Sequence, residues 1–445
     1  MVLKWLRRKK SKPIPAQEGP PVKLAARGAP SPNENRANLV EARQSEGFVT
    51  VKEWIADAID HRAERVVLDY TAAAVGVRYL VDGVWHQRQP RTRDVSDVAL
   101  AVMKKLANLN PSERRARQEG EFAARYLQLE FTVHLTSQGV ETGERVVLEL
   151  SGLETQLESL DDLGMREKLQ ERMKELLSAP KGLMVFSALP DGGLTTTLQF
   201  ALRSTDRYMR DFVALVDRSK CTFPDVENVD VVEYDSSAGE SFEQPLHSVL
   251  LKEPDVLVIP ELTDAALFQA ALNRTFEEER LLIVSLRAKD AVESLVRLLA
   301  LKPNVSYFAN FLLGAMSQRL IRKLCLSCRQ RYKPQPQLLQ KLGLPADRIQ
   351  FLYRSFNPQT DRDEEGKELP PCQVCGALGF RERTGVFELL VPGEGFRHAL
   401  EHQPRLEALR SVARQEGHRG LLEEGLWHVV RGDTALSELQ RILKT

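Results

Sequence analysis

No apolar run in the 445-residue chain approaches the length needed to cross a bilayer, roughly 18 to 20 residues. The longest such stretches, around 183–189 and 256–259, are strand-sized. The amino terminus lacks the apolar core of a secretory leader. The expected location is therefore the cytoplasm or the periphery of a membrane. Net charge is also missing, since 62 Lys and Arg balance 62 Asp and Glu. No whole-chain field draws such a protein to nucleic acid. No basic, aromatic-interleaved pattern exists outside the first dozen residues, so no nucleic-acid partner is expected. Cysteine is scarce at five residues. Four of them fall into two Cys-x-x-Cys pairs, which in a cytosolic chain favours metal over disulfides.

What is present is an ordinary globular balance of 42% hydrophobic and 28% charged residues, long enough for two to four domains. Residues 1–45 read as a disordered basic and proline-rich tail. Pro13, Pro15, Pro20, Pro21, Pro30 and Pro32 break regular structure. Its first dozen residues interleave Leu3, Trp5 and Leu6 with Lys and Arg. A solvated tail is the adopted reading, and a weak anchor on an anionic surface is the other. Residues 46–152 read as a mixed α/β domain with helices at 51–62 and 95–106. Its strands fall at 65–70, 75–81, 122–131 and 145–150, and Asp82-Gly83 reads as a hairpin turn. Residues 153–180 read as a linker carrying an amphipathic helix at 165–177.

Residues 181–320 alternate strand and helix. Strands at 182–187, 211–216, 229–234, 255–259 and 281–286, with a helix at 195–204, predict a parallel sheet covered on both faces. Residues 321–392 hold the paired cysteines, and residues 393–445 read as a small helical cap.

The first strand of that region leads into Ser187-Ala188-Leu189-Pro190-Asp191-Gly192-Gly193-Leu194-Thr195-Thr196. A phosphate loop reads Gly-x4-Gly-Lys-Ser/Thr between a strand and a helix. With Thr195 at the hydroxyl position, Leu194 stands where the lysine belongs. Leucine cannot offset phosphate charge, and Asp191 adds a repulsion. A unit-charge pair 4 Å apart is worth roughly 4 kcal/mol at an effective dielectric of about 20. Backbone N–H groups at a helix start still favour an anion. Gly192, Gly193, Thr195 and Thr196 are thus the candidate nucleotide-binding residues, with a plain strand-turn-helix as the other reading. The apolar run ending at Ile259 is followed by Pro260-Glu261, the place where a carboxylate holds magnesium or polarises water. Glu261 is the candidate acid.

Cys325 and Cys328 form one pair and Cys372 and Cys375 the other, with 43 residues between them. Four thiolates make a closed, structural zinc site, and the intervening segment must loop out. Cys221 is expected to stay unligated.

These pieces resemble the type II secretion and type IV pilus assembly ATPases, the general secretory pathway protein E family, from about residue 47 to the carboxyl terminus. The resemblance is strongest in Arg319-Leu-Ile-Arg-Lys-Leu-Cys325-Leu-Ser-Cys328 and in Cys372-Gln-Val-Cys375-Gly-Ala-Leu-Gly-Phe-Arg-Glu-Arg-Thr-Gly385-Val-Phe-Glu-Leu-Leu390. Arg78-Tyr-Leu-Val-Asp82-Gly83-Val, Gly143-Glu144-Arg145-Val-Val-Leu and Leu160-Asp-Asp-Leu-Gly-Met165 add to it. It implies an α/β fold with a RecA-like P-loop ATPase core and a smaller, PAS-like amino-terminal domain. It also implies a zinc-binding insertion, a helical carboxyl-terminal cap, a hexameric ring, and an inner-membrane platform or assembly protein as partner at the cytoplasmic face. Structural Zn2+ and ATP with Mg2+ are the implied cofactors.

The departures gather where the family does chemistry. Asp217 is the surviving acid of the Asp box, followed by Arg218. Glu261 survives in the Walker B segment without its arginine. Arg287 stands where the family has histidine, although Asp290-Ala291 persists. Glu121 and Thr132 stand at or near positions where the family has arginines that reach a neighbouring subunit's phosphates. All reduce or rearrange positive charge around one place. The expectation is a family ring subunit with little or no ATP hydrolysis. A working motor using a displaced lysine such as Lys181 or Lys220, and a zinc-dependent partner-binding module, remain as alternatives.

Overall fold

The computed structural model describes residues 19–152, 157–357, 360–362, 366–367 and 369–444. The chain divides into two units, residues 1–156 and 157–445.

The first unit runs β1 (Lys23–Ala26), α1 (Pro32–Gln44), α2 (Gly47–Asp60), β2 (Arg65–Tyr70), β3 (Val75–Val81), β4 (Val84–Arg91), α3 (Arg93–Leu106), β5 (Gln118–Tyr126), β6 (Leu129–Val140) and β7 (Gly143–Ser151). Its strands form one antiparallel sheet in the order β1-β5-β6-β7-β2-β3-β4. Alternate residues of β3 are buried, as a half-covered strand requires. Val51 and Ile55 of α2 and Leu100 and Met103 of α3 join that core. The turn expected at Asp82-Gly83 joins β3 to β4. Both residues take positive φ, 49° and 74°, as a two-residue hairpin needs.

Two expectations for this unit are corrected. The irregular tail over 1–45 gives way to β1 and α1 in its described part, and residues 1–18 lie outside the described residues. Pro32 breaks nothing, because it occupies the first turn of α1, where a missing N–H costs no helical bond. Ser31 caps that helix by accepting from Glu34 N at 3.2 Å. The strand expected over 122–131 is two strands, β5 and β6, meeting at a turn where Leu127 takes φ 55°.

The second unit runs α4 (Glu167–Leu177), β8 (Gly182–Ala188), α5 (Leu194–Arg203), β9 (Phe212–Asp217), β10 (Val229–Tyr234), α6 (Glu243–Leu251), β11 (Val256–Ile259), α7 (Ala265–Glu277), β12 (Leu281–Arg287), α8 (Ala291–Ala300), α9 (Val305–Phe311) and β13 (Leu312–Leu324). It continues through β14 (Gln330–Tyr332), α10 (Pro336–Lys341), β15 (Leu352–Arg354), β16 (Phe380–Leu390), α11 (Glu394–His402), α12 (Leu406–Gln415), α13 (Leu421–Arg431) and α14 (Leu436–Leu443). The main sheet has the order β10-β9-β11-β12-β8-β13-β16. It is parallel from β10 to β13, and β16 pairs antiparallel with β13. Every residue of β8, β9 and β11 is buried, the mark of strands covered on both faces.

Two boundaries are corrected here. The helix expected in a linker over 153–180 is α4. Its Met173, Leu176 and Leu177 pack with Met184 and Phe186 of β8, so it belongs to the second unit's core. The division at 320/321 falls inside β13. The cysteine segment is an excursion between two paired strands of the sheet, because β13 continues past residue 320 to Leu324, with a register shift after Arg322. The carboxyl-terminal helices form as expected. Phe396, Leu400 and Leu409 of α11 and α12 join the main core. Among the described residues, no helix is long and apolar enough to cross a membrane.

One ion pair ties α14 to β13. Glu438 is buried and accepts from Arg322 Nη2 at 2.8 Å and Arg441 Nη2 at 2.6 Å. Burial alone would raise its carboxyl pKa, but the Arg441 and Arg322 bonds outweigh it and hold it at about 2, against an ordinary 4.5. A depressed carboxyl stabilises the fold above its unfolded value and loses that contribution as pH falls through its folded one. The unfolding temperature should therefore drop between about pH 4.5 and pH 2, and Glu438→Gln should flatten that slope. At neutral pH the variant should lose about 3 kcal/mol in a denaturant melt. An unchanged acid limb would show that the pair contributes little.

Candidate functional site: a degenerate phosphate loop and a tetracysteine cluster

β8 enters the loop from the middle of the sheet and α5 leaves it, so the strand-turn-helix is as expected. Two close approaches shape the turn. A Cβ on Gly192 would lie 2.7 Å from the Leu189 carbonyl oxygen, and Gly193 takes φ 78° as it opens α5. Gln318 of β13 donates from Nε2 to the Gly192 carbonyl at 2.7 Å and pins the loop. Leu194, at the lysine position, is half-buried and packs on the core cluster that holds Met184, Phe186 and Leu198. Asp191 and Thr195 are exposed, and Thr196 is half-buried. The four candidate nucleotide-binding residues thus lie together at the loop and the first turn of α5.

The two candidate acids sit at the carboxyl ends of neighbouring strands. Asp217 ends β9 and is buried, with its hydrogen bonds gathered on one oxygen. Its Oδ1 accepts from Ser219 Oγ (2.6 Å), Ser219 N (3.1 Å) and Ser236 N (3.3 Å), and Lys220 Nζ lies 3.1 Å from Oδ2. Burial would raise its carboxyl pKa, but these donors hold it far below the usual carboxylate range. Glu261 follows β11 with φ 48°. Its backbone N donates to Ser285 Oγ at 3.0 Å, and its Oε2 accepts from Arg287 Nε at 2.9 Å. Both acids are therefore occupied by groups of the same chain. Cys221 lies near both. Burial, joined by the charges of Glu261 and Asp217, pushes its thiol up to about 11, which keeps it protonated and unreactive at neutral pH.

Neither lysine considered as a replacement is free beside the loop. Lys181 precedes β8 at its amino end, a whole strand from the loop, and pairs with Glu279. Lys220 is committed to Asp217. Asp290 caps α8 by accepting from Glu293 N at 2.8 Å and meets Arg410 Nη2 at 2.5 Å, a structural role.

Residue-level reasoning named Arg287 but not its partner. That pairing depends on the turn after β11 facing the end of β12, which no local signal reveals. It also missed Arg27 in the first unit. Arg27 Nη1 donates to Thr132 Oγ1 at 3.0 Å and lies 3.6 Å from Glu121 Oε1.

The cysteines come together because Leu324 of β13 pairs with Phe380 of β16, which closes the excursion at its root. Cys325 Sγ lies 4.0 Å from Cys372 Sγ, and Cys328 Sγ lies 3.7 Å from Cys375 Sγ. All four sulfurs fall within 4.8 Å of one another. Four bonds of about 2.3 Å to one zinc ion give a tetrahedron with sulfur–sulfur edges of about 3.8 Å. The donor set and its spacing therefore fit such an ion. Burial pushes the Cys328 and Cys375 thiols up. At Cys372 burial is outweighed by the backbone N–H groups of Cys375 and Val374, which bring it down to about 7. Cys325 lies seven residues beyond Gln318, or about 23 Å along an extended strand. The cluster is thus separate from the loop.

Solved structures of known proteins share the fold. The fold resembles that of the Legionella pneumophila ATPase DotB, with a TM-score of 0.58 and 12% identity over 89% of this chain and 95% of that one. It also resembles the pilus retraction motor PilT, solved with bound ADP, with a TM-score of 0.50 and 16% identity over 88% and 96%. In sequence, the chain is 26% identical over 419 residues to the type IV pilus assembly ATPase PilB of Thermus thermophilus, covering 94% of this chain and 44% of that protein. It is 26% identical over 392 residues to the type II secretion system protein E of Dickeya dadantii, covering 88% and 74%. The chain thus spans less than half the length of the first relative and about three quarters of the second. The family model described as Type II/IV secretion system protein matches residues 43–441. The chain therefore belongs to the type II/IV secretion system protein family, in the group of secretion protein E and the pilus assembly ATPases.

Proposed function

We propose that the protein is a ring-forming subunit of a secretion or pilus machine that keeps the family's architecture without hydrolysing ATP at motor rates. The observation that carries this reading is the double occupation of the site. Leu194 packs into the core where a lysine would reach phosphate, and Glu261 is bound by Arg287. The loop keeps backbone N–H groups at the start of α5, so weak nucleotide binding through Gly192, Gly193, Thr195 and Thr196 belongs to the proposal. Asp217, whose Oδ1 is taken by Ser219 and Ser236, shapes the turn after β9 in this reading. Zinc held by Cys325, Cys328, Cys372 and Cys375 would stabilise the excursion without taking part in chemistry. A homo-hexamer docked through an inner-membrane platform or assembly protein at the cytoplasmic face is the assembly proposed, by similarity to relatives named for type II secretion and pilus assembly.

Turnover decides the matter. Purified protein with millimolar Mg-ATP should release phosphate below about 0.01 per second, some thousandfold under the median enzyme. Turnover near 1 per second that disappears in Glu261→Gln would overturn the reading in favour of an active motor.

A further inference from the structure

Arg287 is held beside the phosphate loop by backbone as well as side chain. It is the last residue of β12 and the register partner of Ala188, the last residue of β8. Ala288 N donates to the Ala188 carbonyl at 3.1 Å. Arg319 of β13 is buried and donates to the carbonyls of Ala288, at 3.4 Å, and Lys289. The segment that presents Arg287 is therefore fixed from β8, its neighbour in the sheet, and from β13 beyond it.

Its side chain is 52% exposed, yet it reaches back to the Glu261 side chain, which is 19% exposed. Glu261 comes to meet it at a backbone conformation that a side-chain-bearing residue rarely adopts, φ 48°. Ser285, buried in β12, accepts the Glu261 N–H, and the Ser285 carbonyl accepts from Leu262 N at 2.7 Å. Three bonds thus join the turn after β11 to β12, and the ion pair is the outermost. A divalent cation could reach both oxygens of the Glu261 carboxylate only by displacing the guanidinium from Oε2, and on either oxygen it would sit beside that positive charge.

We propose that the Arg287–Glu261 ion pair is an autoinhibitory clasp that withholds the acid from magnesium, so that a lysine at position 194 would not by itself reopen the site to a magnesium–nucleotide complex. This deepens the non-hydrolysing reading and rests on it. The missing lysine and the clasp are two separate blocks, and only the removal of both restores metal-dependent binding.

A double-mutant cycle tests this. ATP binding is measured by calorimetry on the full chain for wild type, Leu194→Lys, Arg287→His and the double variant, each with magnesium and with EDTA. Imidazole is shorter than guanidinium and largely uncharged at pH 8. Leu194→Lys alone should bind ATP with less than a twofold difference between magnesium and EDTA. The double variant should bind at least tenfold tighter with magnesium. If a histidine variant loses its native circular dichroism, Arg287→Gln takes its place in the cycle. A full tenfold magnesium preference in Leu194→Lys alone overturns the clasp, and so does a double variant with no magnesium preference or no binding. Motor-rate turnover by the unaltered protein would instead defeat the functional reading above, whereas a magnesium-indifferent double variant defeats the clasp alone.

Discussion

Replacing Cys325 and Cys375 together by serine should empty the metal cluster and lower the unfolding temperature of the second unit by about 10 °C. One cysteine comes from each pair and both are buried, so neither half of the tetrahedron survives. Among the described residues between the pairs, the segment is held by a short β14–β15 ladder, the Arg354–Asp361 ion pair and the small cluster in which Leu339 and Leu352 meet Leu426 of α13. Structural zinc contributes about 10–16 kcal/mol of apparent binding energy in small domains at neutral pH. Here much of the fold stands without it, because β13 and β16 pair along Ala315 to Arg322 beyond the cluster. A loss of roughly 5 kcal/mol is therefore the expected scale, near 2 °C for each kcal/mol in a unit of this size. Elemental analysis should show about one zinc per chain in the wild type and none in the variant. Limited proteolysis should then cut between residues 329 and 371. Wild-type protein that carries no metal, or a variant that melts unchanged, would remove the zinc assignment.

The second large effect is expected in the first unit. Lys104 is fully buried and donates from Nζ to Glu144 Oε1 at 2.6 Å and to the Glu113 carbonyl at 2.5 Å. Ser137 Oγ donates to the same carboxylate oxygen at 2.5 Å. Glu144 Oε2 has no hydrogen-bond partner among the described residues. Removing one member of a buried pair strands the other charge in an apolar core and costs about 3–5 kcal/mol. Lys104→Met should therefore lower the first unit's melting temperature by about 12–20 °C, at roughly 4 °C for each kcal/mol. Lys104→Met combined with Glu144→Leu should return to within about 1 kcal/mol of wild type, because no charge is left without a partner. A single variant that loses under 1 kcal/mol would show that water reaches the pair.

Which features were legible in the sequence follows from how far apart their causes lie. The Asp82-Gly83 hairpin was readable because the turn carries its own chemistry, and β8 and α5 because a buried run, a glycine turn and a helical pattern stand side by side. The cysteine quartet was readable from spacing alone. The β5–β6 turn was not, because leucine at φ 55° is a conformation that residue type does not announce. Nor was β1 or α1, where counting prolines as breakers overlooked one at a helix start. Lys181 looked near the loop in sequence, but β8 carries the chain a full strand length between them. The Arg287–Glu261 contact depends on the register of β12 against its neighbours, a property of the sheet rather than of either residue's surroundings in the chain.

The half-burial of Leu194 bears on the lineage of the protein. An apolar side chain packed against the core cluster of β8 and α5 contributes to cohesion of the core. Reversion to lysine would sacrifice some of those contacts, of the order of 1 kcal/mol, before any phosphate were bound. If Arg287 withholds Glu261 as proposed, no gain in turnover would offset that cost. The two substitutions therefore act as a ratchet. On the proposed reading, neither single step back restores activity and the step at Leu194 also costs stability, so descendants would be expected to diversify their partners rather than regain catalysis.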